Sequence, residues 1–341
     1  MVSGGSSYNT KREVIGMVNI KEIARTAGVS IATVSRVLNH HPYVSAEKRN
    51  RVLEAVKQLN YTQNANAIHL VKGKTNTIGV ILPFVNIPYY STIVEGIAEE
   101  AIRFGYHLTL CQTNYDIKEE LRVLNMLKQK QFDGIIICSR EASWDLIEPY
   151  TNSGTIVACE EIQTQSMSSV HINHYEGFLL GMNHLLSKGH RRIGYCMARK
   201  NSYNSKNRER AYRNALTAAG EPVREQWMFH NCYSIEDGVN VVHAILNMKE
   251  RPTALFAASD QVAAGIVTEA KRLGIAVPDE LAVIGFDNHP IANALDITTI
   301  EQPCFEMGRH AFSLFHRHFT RQAAAHEHRE LSFKLIERST V

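Results

Sequence analysis

The sequence predicts an all-α helix-turn-helix head followed by a two-lobed α/β domain built on parallel sheets. Three observations predict it. A chain of 341 residues is long enough for two or three domains. Between residues 18 and 60, apolar side chains recur at helical spacing around a short glycine turn. From residue 77 onward, strand-sized apolar runs alternate with amphipathic helices, and the alternation restarts near residue 192.

Residues 1–17 are Ser/Gly-rich and then charged, with no apolar run of a secretory signal. They are read as a disordered leader, with Met17 as the expected native start. The head spans 18–63. Ile20, Ile23, Ala24 and Ala27 share one face of its first helix. Gly28 ends that helix, Val29 turns, and Ser30 caps the next. The second helix, 31–38, turns Val34, Val37 and Leu38 inward. After a loop holding Pro42 and Tyr43, Ser45 opens a third helix. Lys48 stands where a capping box needs Glu or Gln, so only half the box is present. Val52, Leu53, Val56 and Leu59 are the expected apolar face of that helix.

Residues 64–75 are polar, small and basic, a linker with one weak helical turn around 65–71. Strands are expected at 78–82, 107–110, 134–138, 192–196, 254–257 and 282–286. Helices are expected at 93–104, 119–129, 211–219 and 261–273. Strands alternating with helices imply parallel sheets with right-handed crossovers. The restart implies two similar lobes, with a ligand cleft at the carboxyl ends of their strands.

The net charge of +3 divides unevenly. Residues 17–75 hold nine Lys/Arg against three Asp/Glu, whereas residues 76–341 hold 26 against 30. A basic head on a mildly acidic body points to a polyanionic partner for the head alone. The longest apolar runs, 78–85 and 134–138, fall far short of the roughly 18 residues of a membrane span. No P-loop, Gly-rich dinucleotide fingerprint or G-x-S-x-G elbow is present, so an enzyme is not expected. Six scattered cysteines lack metal-ligand spacing and read as reduced buried thiols of a cytoplasmic protein. The histidines, including His310, His316, His318, His326 and His328, fit no metal site by spacing and read as a solvated helix and tail. No cofactor is expected.

One stretch is specific: Ala27-Gly28-Val29-Ser30 followed by Thr33-Val34-Ser35-Arg36-Val37-Leu38-Asn39. Further marks are Lys74-Thr75 before Ile78-Gly79-Val80, Phe132-Asp133-Gly134-Ile135, Gly189-His190-Arg191-Arg192-Ile193, Arg251-Pro252-Thr253-Ala254 and Val283-Ile284-Gly285-Phe286-Asp287-Asn288. Across residues 18–341 the chain resembles the LacI/GalR family of bacterial regulators, and within it most resembles catabolite-control-type members. The resemblance implies a periplasmic-binding-protein-like effector and dimerisation domain over 76–341. Lobe one would be about 76–172 and 303–328, and lobe two about 173–302 and 329–341. It implies a transcriptional regulator of carbohydrate or carbon metabolism, by family default a repressor. A homodimer would read a palindromic DNA operator under control of a small-molecule effector. The alternative is a solute-binding module without DNA function.

The resemblance also assigns residues. Ile31, Ala32 and Arg36 match positions that reach base edges in the major groove, Arg36 by two hydrogen bonds to guanine. Ser30, Thr33, Ser35 and Asn39 would seat the helix on phosphates, Ser30 being first a helix cap. A hinge helix over 64–71 would enter the minor groove, with Asn64, Ala67 and Lys72 around the wedging Leu70. Gln63 departs from the usual proline, and Val71 from a usual basic residue. For the effector, Tyr89, Tyr90 and Tyr233 match flanking aromatics, and Arg208 matches the arginine that holds hydroxyls or carboxylates. Asp260 and Asp287 match acceptors, and Asn173 replaces an aspartate at the interlobe crossing. Such a set suits a sugar, sugar phosphate or similar metabolite. Some relatives take a protein corepressor through basic residues. The segment 289–299 has no Lys or Arg, so that partner is less favoured.

Overall fold

The computed structural model describes residues 19–61, 73–322 and 325–341. The expected contacts at Asn64, Ala67, Leu70 and Lys72 lie outside the described residues. So does the leader. The chain divides into a head, up to Lys74, and a body from Thr75.

The described head consists of three helices: α1 (Ile20–Ala27), α2 (Ile31–Leu38) and α3 (Ala46–Gln58). Asn19 caps α1 in a complete capping box with Glu22, each satisfying a backbone N–H of the other. Gly28 takes the left-handed conformation, φ 62°, and its N–H returns to the carbonyls of Ala24 and Arg25. Ile23, Ala24, Ala27, Val34, Val37, Val52 and Ala55 form the core. Leu53 is half exposed rather than inward. The buried stripe of α3 runs Val52, Ala55, Val56, Leu59, which is the i, i+3, i+4, i+7 pattern, and Leu53 lies about 100° off it.

In the body, lobe one runs β1 (Thr77–Leu82), α4 (Pro88–Arg103), β2 (His107–Gln112), α5 (Ile117–Lys128), β3 (Gly134–Ile137), α6 (Trp144–Ile147), β4 (Thr155–Ala158) and β5 (Ser168–His171). Lobe two runs α7 (His174–Ser187), β6 (Ile193–Cys196), α8 (Tyr203–Ala218), β7 (Met228–Phe229), α9 (Ile235–Leu246), β8 (Ala254–Ala257), α10 (Asp260–Arg272), β9 (Ala282–Asp287), α11 (Pro290–Ala294) and β10 (Thr298–Glu301). The chain then returns to lobe one for α12 (Cys304–Phe319) and β11 (His328–Glu330), and ends in lobe two with β12 (Lys334–Ile336). Helix α4 starts five residues before the expected 93, because Pro88 fits the first helical turn.

The sheet orders are β11-β5-β4-β3-β1-β2 and β12-β10-β9-β8-β6-β7. Every pairing is parallel except β10 with β12. The central strands are buried along their length, as parallel strands covered on both faces must be. The chain crosses between lobes near 172, near 302 and between 330 and 334. The last crossing falls beyond the expected 328, because β11 pairs with β5 through Glu330. That pairing also corrects the reading of the histidine tail. His318 and His326 are half-buried, stack at 4.5 Å, and both reach the Ser168 hydroxyl.

Asp133 fixes where the body begins. Its carboxylate accepts from the Thr75 N–H at 2.7 Å, the Thr75 hydroxyl at 2.9 Å and the Asn76 N–H at 2.9 Å. In each lobe, two helices cross at paired glycines. A Cβ on Gly96 or Gly308 would collide with the backbone of α12 or α4, and one on Gly238 or Gly265 with α10 or α9.

Candidate functional site

In the head, α2 presents one open face. Ile31, Ala32 and Arg36 are exposed, while Val34 and Val37 are buried on the opposite side. Ser30 caps α2, its hydroxyl oxygen accepting from the Thr33 N–H at 3.2 Å and lying 2.9 Å from the Thr33 hydroxyl. The Asn39 amide donates to the Ser35 carbonyl at 2.9 Å, closing the other end. Ser30, Thr33, Ser35 and Asn39 therefore stiffen the helix. Arg36 has no ion-pair partner among the described residues. Arg51 of α3 donates to the Gly28 carbonyl and ties the turn to the third helix.

In the body, a cavity of about 130 Å3 lies between the lobes at the carboxyl ends of their strands. Five of the seven expected effector residues line it: Tyr89, Tyr90, Arg208, Tyr233 and Asp287. From lobe one, the rings of Tyr89 and Tyr90 meet edge to face at 5.0 Å. The Tyr90 hydroxyl lies 2.7 Å from that of Tyr115, which lies 3.3 Å from the Ser139 hydroxyl. Burial pushes the Tyr89 and Tyr90 phenols well above their ordinary range, so both stay protonated.

From lobe two, Arg208 is buried on α8. It donates through Nε and Nη2 to Nδ1 of His174, at 3.3 and 3.1 Å, and through Nη1 to the Ala258 carbonyl at 3.1 Å. Its guanidinium sits 4.1 Å over the Phe286 ring. Burial, then the charge of Arg208, depresses the His174 imidazole well below its usual value. A neutral imidazole leaves Nδ1 free to accept. Asp287 ends β9 with φ 122°, and its carboxylate accepts from the Gln302 amide. Burial, then the Asp260 charge, raises the Asp287 carboxyl well above its ordinary value, while Arg208 opposes the rise.

The other two expected residues lie elsewhere. Asp260 is fully buried and does not line the cavity. It accepts from the Thr299 hydroxyl at 2.6 Å and the His289 N–H at 2.7 Å, bracing the loop after β9. Ser259, not Asp260, caps α10. Asn173 caps α7, its side chain accepting from the Glu176 N–H at 3.1 Å. A strand-end position tells where a side chain starts, not which way it turns.

Lining residues that sequence reasoning missed include His174, Tyr115, Arg199, Glu160, Asn204 and Gln302. His174 adjoins Asn173 at the crossing, a signal that could have found it. Arg199 reaches from lobe two to lobe one. It pairs with Glu141, donates to the Arg140 carbonyl at 3.1 Å and lies 3.6 Å over the Tyr115 ring. Glu160 is buried beside Arg140, Oε1 to Nε 3.0 Å. Among the described residues, no group of three His, Cys, Asp or Glu side chains could hold a metal ion. No helix among them is long and apolar enough to cross a membrane.

Residues 19–64 match the family model for bacterial regulatory proteins of the lacI family, and residues 182–341 match the periplasmic binding protein-like domain. An uncharacterized HTH-type transcriptional regulator of Bacillus subtilis (strain 168), YkvZ, is 46% identical over 325 residues, 95% of this chain and 100% of that protein. The chain belongs to the LacI family. Catabolite control protein B of the same organism is 38% identical over 299 residues, covering 88% of this chain and 94% of the relative. Among solved structures, the lac repressor dimer bound to operator and the anti-inducer ONPF superposes with a TM-score of 0.80. It is 25% identical and covers 95% of this chain and 99% of that one. A transcriptional regulator CelR–cellobiose complex gives a TM-score of 0.70 at 25% identity, covering 95% and 100%. This LacI-family member is thus a DNA-binding transcriptional regulator with an effector domain of the periplasmic binding protein type.

Proposed function

We propose that this LacI-family regulator grips a palindromic operator as a homodimer, and that a neutral sugar or similar polyhydroxylated metabolite sets the grip from the interlobe cavity. The observation that carries the reading is a single space lined from both lobes, with a buried arginine on one side and tyrosines on the other. A ligand that touches both lobes favours one interlobe angle over others, and only such differential binding can shift an equilibrium. The lining suggests the ligand's chemistry. Oδ1 of Asn204 and Oε1 of Gln302 are buried acceptors without a hydrogen-bond partner among the described residues. Hydroxyl groups supply the donors they lack. Arg199 is paired with Glu141, and Arg208 donates to His174 and the Ala258 carbonyl, so neither stands free in the lining to favour a phosphate.

On the DNA side, α2 enters the major groove. Arg36 pairs with a guanine edge, while Ile31 and Ala32 read by apolar contact, as with a thymine methyl. Thr33, Ser35 and Asn39 face the backbone. Asn64, Ala67, Leu70 and Lys72 carry the minor-groove part of the proposal by resemblance alone. The test is selection of bound duplexes from a random pool by the full chain, repeated with sugars and sugar phosphates. A palindrome should be enriched, and one class of sugar should change its enrichment. Arg208→Ala should keep the palindrome and lose the response. Absence of any palindromic preference at physiological salt would sink the reading.

A further inference from the structure

His174 lines the cavity in a contact that only one arrangement of protons allows. It is the first residue of α7, set in place by the Asn173 cap directly after the crossing near 172. Its Nδ1 faces both Nε and Nη2 of Arg208, at 3.3 and 3.1 Å. A guanidinium donates and cannot accept, so Nδ1 must offer a lone pair and the ring proton must sit on Nε2. A protonated imidazole would set donor against donor. Burial, then the charges of Arg208 and of His171 at the end of β5, keep the ring neutral. The Phe286 ring backs both partners. The guanidinium lies 4.1 Å over it, and the imidazole stacks on it at 6.3 Å, 29° from parallel.

We propose that His174 is the positioning residue of Arg208: it locks the guanidinium in one rotation, so that the effector meets only the donors that remain. The inference rests on Arg208 being an effector contact, as in the function proposed for this cavity. A guanidinium carries five N–H groups. Nε–H and one hydrogen of Nη2 go to His174, and one hydrogen of Nη1 goes to the Ala258 carbonyl. One N–H on each terminal nitrogen is left without an acceptor among the described residues. Such a pair suits two neighbouring oxygens of one ligand, as adjacent hydroxyls of a sugar ring present. The hydroxyl protons can then go to the unpartnered Asn204 Oδ1 and Gln302 Oε1 in the same lining. Without the imidazole, each binding event would have to order the Arg208 side chain anew, and that ordering costs affinity. An asparagine at position 174 would place Oδ1 about where Nδ1 stands, so it should hold the guanidinium with no tautomer to choose.

The first arm of the test needs neither DNA nor effector, so its failure is separate from failure of the regulatory reading. The full chain, isotopically labelled at histidine and arginine nitrogens, is followed by NMR at neutral pH. His174, assigned by the loss of its signals in His174→Asn, should show the Nε2–H tautomer. The Arg208 Nε–H should be visible and slow to exchange with water. His174→Leu should speed that exchange about tenfold or more, as loss of a charge-assisted hydrogen bond does. His174→Asn should restore the slow exchange. The second arm repeats the duplex selection with sugars. For a sugar to which the unaltered chain responds, His174→Leu should need about tenfold more, and His174→Asn close to the original amount. If the unaltered chain responds to no sugar, the regulatory reading has failed, and the first arm still judges His174. If His174→Leu does not fold, the tautomer in the unaltered chain decides. The proposal is overturned if His174 carries its proton on Nδ1 at neutral pH. It is equally overturned if a folded His174→Leu leaves the Arg208 exchange unchanged.

Discussion

Asp260 and Asp287 show one residue type at two tasks, both at carboxyl-end loops of lobe two. Asp287 faces the cavity, whereas Asp260 is sealed under it and pushed up to about 7 by burial, against its bonds from Thr299 and His289. The folded protein therefore keeps a proton on Asp260 that the unfolded chain releases at the ordinary carboxylate value. Stability from this group is greatest at acid pH and declines as pH rises from about 4 to about 7. Asp260→Asn should flatten that decline, read as urea midpoints across the window by the fluorescence of Trp144 and Trp227, both in the body. On the head, Arg36→Ala should relax discrimination at one symmetric operator position by roughly 1–3 kcal/mol while leaving the other positions intact. Duplex selection with the variant reads this directly. The open face of α2 that carries Arg36 was legible because the head's motif is contiguous. The cavity was only partly legible, because its lining converges from strand ends distant in sequence and depends on side-chain direction. Arg199 carried no motif at all.

Between secondary-structure elements, small residues decide how closely backbones approach. Gly28 combines a left-handed backbone with the space that the Arg51 guanidinium occupies. Gly28→Ala should cost the head about 1–2 kcal/mol from the backbone alone, seen as a lower midpoint for the loss of head helicity. Gly96→Ala drives a methyl group into the backbone carbonyl of Phe305, where α4 and α12 cross. It should cost roughly 1–3 kcal/mol or more, since neither helix can yield without repacking, and the same Trp-monitored denaturation would show it. The strands read correctly from the sequence, β1, β3, β8 and β9 among them, are continuous apolar runs. Strands β5 and β10 escaped because Ser168, Ser169, Thr298 and Thr299 interrupt their apolar character, although all four are buried. Helix α12 reads as solvated at His310, His316 and His318, which are instead half-buried beside a buried face of Met307, Ala311, Phe312 and Phe315.

At the scale of the whole body, both lobes share one strand plan, and Arg199 straps one to the other through Glu141, the Arg140 carbonyl and the Tyr115 ring. Charge-assisted hydrogen bonds of this kind contribute about 1.5–3 kcal/mol each. Arg199→Ala should therefore speed hydrogen exchange at the backbone amides of residues 139–142 by about tenfold or more, without lowering the global denaturation midpoint to a similar degree. The polypeptide passes from lobe to lobe three times. Two solid bodies joined at a single point can tumble freely, and joined at two they can still twist. Three short ties leave little beyond one swing, like a door hung on three hinges. Whatever molecule occupies the interior, the answer it returns is compressed into a single coordinate, the angle of that door.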